Sequence, residues 1–137
     1  MTMFPHTVTV LNKVESDDGV VYYPTILSGV LYVTTRSSSR TTTGSDNKDD
    51  IKCTIPFKVT VKDDKSFISR MEYNKLPDDM KPEFWTLSKD DIIVKDVIFD
   101  SQISLKLINS NYNEKMVVSF VDTLDFGSLQ HWHVGGA

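Results

Sequence analysis

The sequence predicts a mainly β protein, a small antiparallel β-barrel or sandwich of about seven strands with one short helix. Three observations carry this expectation. Residues 51–62 alternate apolar and polar side chains along their whole length. An Asp-Gly pair at 18–19 sits between two β-rich runs, a hairpin signal because glycine accepts positive φ. Elsewhere, short apolar runs are separated by clusters of Asp, Ser, Asn, Gly and Pro, and no internal repeat is found.

The elements follow in chain order as one domain over 1–137. Residues 6–14 read as a strand with His6, Val8, Val10, Asn12 and Val14 on one face and Thr7, Thr9, Leu11 and Lys13 on the other. Residues 20–34 form the return strand, and Gly29 within it marks a bulge or sharp bend of the kind small barrels need to curl. Residues 35–50 contain no hydrophobic side chain and cannot contribute to a core, so they are expected to form a long polar loop. In the strand 51–62, Ile51, Cys53, Ile55, Phe57, Val59 and Val61 face inward, while Lys52, Lys58 and Lys62 face solvent. Pro56 and the outward lysines suggest that this run is at least partly an edge strand.

Residues 63–66 make a turn, 67–73 a short strand, and 76–84 a loop broken by Pro77 and Pro82. Trp85-Thr86-Leu87 begins an extended piece, and Asp90-Asp91 turns into a strand at 92–99 too apolar for water on both sides. Residues 101–109 alternate like a strand but also fit a helical stripe, and the N-cap residues Asp100 and Ser101 favour a short helix. Strands at 115–124 and 129–134 complete the chain, with the last one a candidate partner for the first.

Composition limits the function. A net charge of −4, with cations scattered among acids, lacks the basic stripe of a general nucleic-acid binder. The apolar runs, about four residues long, are too short for a membrane-spanning helix. The first residues show neither a basic nor an apolar signal region, and the single Cys53 suits a reducing cytoplasm.

Candidate chemistry is sparse. His131 and His133 leave the same face of a strand, a spacing some metal sites use, but no third ligand is specified by spacing; Trp132 and Val134 then anchor the inner face. Cys53 and the serines lack a nucleophile setting, and the acidic pairs at 49–50, 63–64, 78–79 and 90–91 sit at turns that favour Asp for local hydrogen bonding. Tyr22, Tyr23 and Tyr32 offer an aromatic platform for sugar or single-stranded nucleic acid. Nothing here implies a cofactor or an enzyme.

Short strings at both ends carry a resemblance. Phe4-Pro5-His6-Thr7-Val8-Thr9-Val10, with Tyr23-Pro24-Thr25-Ile26-Leu27-Ser28-Gly29-Val30-Leu31-Tyr32 behind it, resembles the opening of a family of small phage and prophage proteins. There a His-Thr-Val-Thr strand leads to a Gly-Val-Leu-Trp strand, and Tyr32 stands in the tryptophan's place. Trp85-Thr86-Leu87 followed by Asp90-Asp91 is similar to that family's Trp-Thr-Leu, then Gly-Asp, with Asp90 replacing the glycine. The ending His131-Trp132-His133-Val134-Gly135-Gly136 matches a His-Trp-x-Val-Gly-Gly terminus best.

The resemblance spans most of the chain outside 36–80. It implies a virion structural protein of the head–tail connector or head-closure type, made in the bacterial host cytoplasm. It also implies a homo-oligomeric ring, portal, adaptor or tail proteins as neighbours, DNA passing without specific binding, and no membrane. The interface expectation falls on the polar loop, with Arg36, Arg40, Asp49 and Asp50, and on His131, Trp132 and His133. The other readings are a stand-alone sugar- or peptide-binding barrel using Tyr22, Tyr32 and the C-terminal aromatics, and a hydrolase with its metal on His131 and His133.

Overall fold

The computed structural model describes residues 4–17, 19–36, 49–125, 127 and 130–137. Its core is a closed antiparallel barrel. The strands are β1 (His6–Ser16), β2 (Gly19–Arg36), β3 (Asp49–Pro56), β7 (Ile92–Val94), β8 (Lys115–Leu124) and β9 (His131–Gly136). Hydrogen-bonded neighbours run β1-β7-β8-β9-β3-β2, and β2 pairs back to β1, closing the ring. The small strand β4 (Thr60–Val61) adds to β2, and β5 (Ser66–Phe67) pairs with β6 (Phe84–Trp85) apart from the ring. The α-helices among the described residues are α1 (Arg70–Lys75) and α2 (Leu105–Asn111).

The hairpin and its bend form as the sequence indicates. β1 and β2 pair from Ser16↔Gly19 downwards, with Gly19 at φ 123°. The register then slips between His6↔Val30 and Thr7↔Ser28, so Gly29, at φ 93°, is left over as a bulge. Beyond this bulge β2 pairs with β3. One glycine thus lets a single long strand serve two parts of the barrel wall.

Inside the ring, Val8, Val10, Leu27, Cys53, Ile55, Ile93, Trp85 and Val134 are buried in one cluster. Cys53 is fully buried, and burial pushes its thiol up to about 12, which makes it a core residue and a poor nucleophile. The inward-facing Asn12 is also fully buried. Its amide donates to the Thr86 carbonyl at 2.6 Å and accepts from the Thr86 N–H at 3.2 Å, replacing a missing rung of backbone ladder. At the turn end of the hairpin, Tyr73 of α1 packs on Val14 and Tyr23.

Several sequence expectations are corrected. Residues 67–73 are not a strand: Ser69 caps α1, its hydroxyl accepting from the Glu72 N–H. The run 51–62 breaks at Phe57-Lys58: its first part, β3, lies between β2 and β9, while its far part, β4, stands at the end of the strand order beside β2. Pro56 is tolerated because it is the last residue of β3. The strand at 92–99 is only three residues long, although Ile92, Ile93 and Val94 are buried on both faces as their apolarity requires. The helix near 101–109 starts later, capped by Ser104 in place of Asp100 or Ser101, making two α-helices where one was expected. β9 pairs with β3 and β8, not with β1.

Of the expected loop 35–50, Thr35 and Arg36 pair with Asp50 and Asp49 and extend the β2–β3 ladder. Residues 37–48, including Arg40, lie outside the described residues.

Candidate assembly surface

The barrel has two unlike flanks. Over β1, β7 and the first half of β2, the chain from 95 to 112 forms a second layer. Thr9 staples one end of it: its hydroxyl donates to the Asp96 carbonyl at 2.7 Å and accepts from the Ile98 N–H at 3.1 Å. Tyr22 staples the other end by exchanging backbone hydrogen bonds with Ile103 at 2.9 and 3.0 Å. Between these points Leu11, Ile92, Val94, Ile98 and Ile108 are buried together.

The opposite flank, made by β8, β9, β3 and the end of β2, has no such layer among the described residues. Strand alternation places Trp132 and Val134 inside and His131 and His133 outside, as the sequence predicts. Trp132 is anchored by rings: Phe57 and Phe67 each lie 4.4 Å away, and Trp85 lies 5.5 Å away edge-on. Trp132 packs in the core cluster and supports this flank from inside.

The outward residues fall into transverse rows fixed by register. One row is Val33–Lys52–Gly135–Phe120, and the next is Leu31–Thr54–His133–Asp122. A third joins Pro56, His131 and Leu124. Val33, Val117 and Phe120 are 42%, 46% and 43% exposed, large apolar side chains left facing water on a strand surface.

The diglycine is explained by this surface. A Cβ on Gly135 would strike the Phe120 ring, which reaches over that glycine from the neighbouring strand. A Cβ on Gly136 would strike the Val117 carbonyl, where β8 bulges between Val118 and Phe120. Phe120 also reaches His133, ring centres 6.0 Å apart. The terminal motif therefore builds the bare flank: tryptophan holds it from inside, and glycines let β8 and its phenylalanine close on it.

Two further places hold polar groups. Asp91 is fully buried and accepts from the backbone N–H of Lys13 at 2.9 Å, that of Ser88 at 3.1 Å, and the Asn12 amide at 3.1 Å, with Arg70 as its ion-pair partner. Burial pushes its carboxyl above the usual range, against the pull of Arg70 and these N–H groups. Arg70 also donates to Ser88 Oγ at 2.7 Å and the Lys13 carbonyl at 3.0 Å. This network ties α1, the 88–91 turn and β1 together at the floor of an open cleft of about 680 Å³. Its polar groups are committed to one another, so it reads as structure. Asn12 on the inner face of a strand was its sequence signal.

The aromatic platform is overturned: Tyr22, Tyr23 and Tyr32 are each only 4% exposed. Arg36, Asp49 and Asp50 are brought together by ladder register at the far end of the bare flank. His131 and His133 lie in adjacent outer rows of the same flank. Among the described residues, no three His, Cys, Asp or Glu side chains converge as a metal site.

Fold and surface together define a small closed antiparallel barrel with one covered flank and one bare flank. The chain belongs to a family of unknown function, DUF6751, whose model matches residues 3–137. No curated protein and no solved structure matches it.

Proposed function

We propose that this chain is a non-enzymatic structural subunit that assembles with copies of itself into a ring, as a head–tail connector or head-closure protein of a tailed-phage or prophage virion. The observation that carries the reading is the bare flank. An interior built as tightly as any core supports an outer surface with Val33, Val117 and Phe120 exposed, next to a flank where the same need is met by the chain's own second layer. The resemblance at both ends of the sequence supplies the virion context, with portal, adaptor or tail proteins as neighbours.

In this reading the subunit does no chemistry. The polar connection between β2 and β3, with Arg36, Arg40, Asp49 and Asp50, contributes contacts when the ring forms, and its mixed charge avoids gripping passing DNA. Native mass spectrometry and negative-stain microscopy of the concentrated protein test this. A closed oligomer of one subunit count is expected. A monomer at every concentration, together with virions that carry no copy near the portal, would overturn it.

A further inference from the structure

Resting on the ring reading, we infer that neighbouring subunits join by strand pairing: the outer edge of β8 in one copy adds to the outer edge of β2 in the next. Among the described residues both edges are open, for identifiable reasons. Pro5 lacks an N–H and β1 begins at His6, so β2 beyond Val30 has no described strand partner on that side. The His6 imidazole takes over one position, its Nδ1 accepting from the Tyr32 N–H at 3.0 Å. Alternation then turns the Thr34 N–H and carbonyl to the same open side, where no described residue meets them.

On β8, Val118 still exchanges hydrogen bonds with Asp90 and Asp91 at 2.9 and 2.8 Å. Asp90, however, has φ 77°, which diverts the chain away from β8. It stands where the resembled pattern has glycine, and aspartate is among the few other residues that accept this conformation. Past the bulge, Phe120, Asp122 and Leu124 address β9, so Val121 and Thr123 turn their backbone groups outward without a partner among the described residues.

Three features select a β8-to-β2 seam between copies. The sheet β8-β9-β3-β2 holds an even number of antiparallel strands, so its two edges run in opposite directions. A rotated copy therefore continues the antiparallel alternation. The edge segment 119–124 carries a single charge, aspartate, and 31–36 a single charge, arginine. Unlike edges carry opposite charges, whereas like edges repeat one sign. Finally, Phe120 and Val33 face outward on the two edge strands, so the seam sets one copy's exposed ring beside the next copy's valine. A head-to-tail contact of this kind propagates, and closes when its rotation permits.

Single-cysteine variants test the seam, since Cys53 is buried and silent. Val33 and Asp122 are exposed, and each points its backbone groups at its own sheet, so across the seam they form the narrow type of pair. Such pairs have Cα atoms about 4.5 Å apart, within disulfide reach. V33C and D122C proteins are mixed in equal amounts and mildly oxidised. A V33C–D122C heterodimer in excess over both homodimers is expected, with each variant alone staying monomeric on a non-reducing gel. T123P removes an outward N–H that meets no described residue in the monomer and is expected to abolish rings while leaving the thermal midpoint within a few degrees. Rings that form without the heterodimer, or that survive T123P, overturn the seam but leave the ring reading standing. Homodimers in excess overturn it in favour of two-fold pairing. Absence of any oligomer overturns both.

Discussion

The two flanks of this barrel solve the same problem differently. On the β1–β7 side, outward residues such as Leu11, Ile92 and Val94 are apolar and are buried by the chain's own second layer. On the β8–β9–β3 side, outward residues alternate between polar ones, such as Lys52, Thr54 and His133, and exposed apolar ones, such as Phe120 and Val33. Strands whose faces are both apolar need a covering layer to be stable alone. A strand surface that is half apolar folds without one and retains something to offer a neighbour. The first flank belongs to stability, and under the proposed ring the second belongs to association.

Substitutions sharpen or break that division. The largest stability effect is expected at the junction below the covered flank. D91A leaves Arg70 unpaired and removes the acceptor of the Lys13 and Ser88 N–H groups, a loss of about 3–5 kcal/mol. A urea midpoint near wild type would show that the network is dispensable. Next, I108A opens a cavity under the covering helix and should cost about 2–4 kcal/mol. If I108A were nearly neutral, the second layer would be an appendage, and the division would fail.

On the bare side the effects on the folded monomer should shrink. G136A forces β8 and β9 apart at the Val117 carbonyl and should cost about 1–3 kcal/mol, measured by the same denaturation. H131A and H133A should each stay within about 0.5 kcal/mol of wild type, because both side chains lie on the outer face. Their oligomer content under native mass spectrometry is where a change is expected. A large stability loss at either histidine would move it from the surface into the fold.

Much of this fold was legible because local signals and packing agree. The Asp-Gly hairpin, the Gly29 bulge, the buried Cys53 and the inward Trp132 and Val134 all follow from period-two alternation and glycine geometry. What was missed is instructive. α1 carried a visible signal, Ser69 followed three residues later by Glu72, but Phe67 and Ile68 beside it read as strand. Pro56 suggested an edge, whereas strand position depends on which distant strand arrives, and β9 comes from the far end of the chain. Tyr22, Tyr23 and Tyr32 looked available because burial of an aromatic depends on layers the local pattern does not show. The site was legible as a string and not as a surface. His131, Trp132 and His133 stood out, while Val33, Val117 and Phe120 became neighbours of that motif only through register.

The position of β9 has a consequence for how the molecule comes into being. β9, far along the chain from β3, occupies an interior place, with β3 on one side and β8 on the other. β1 with β2 and β2 with β3 are pairs of consecutive strands, whereas β9 must reach back to β3 across the whole stretch between them. Closure must therefore come late and through distant contacts, which are slow to form.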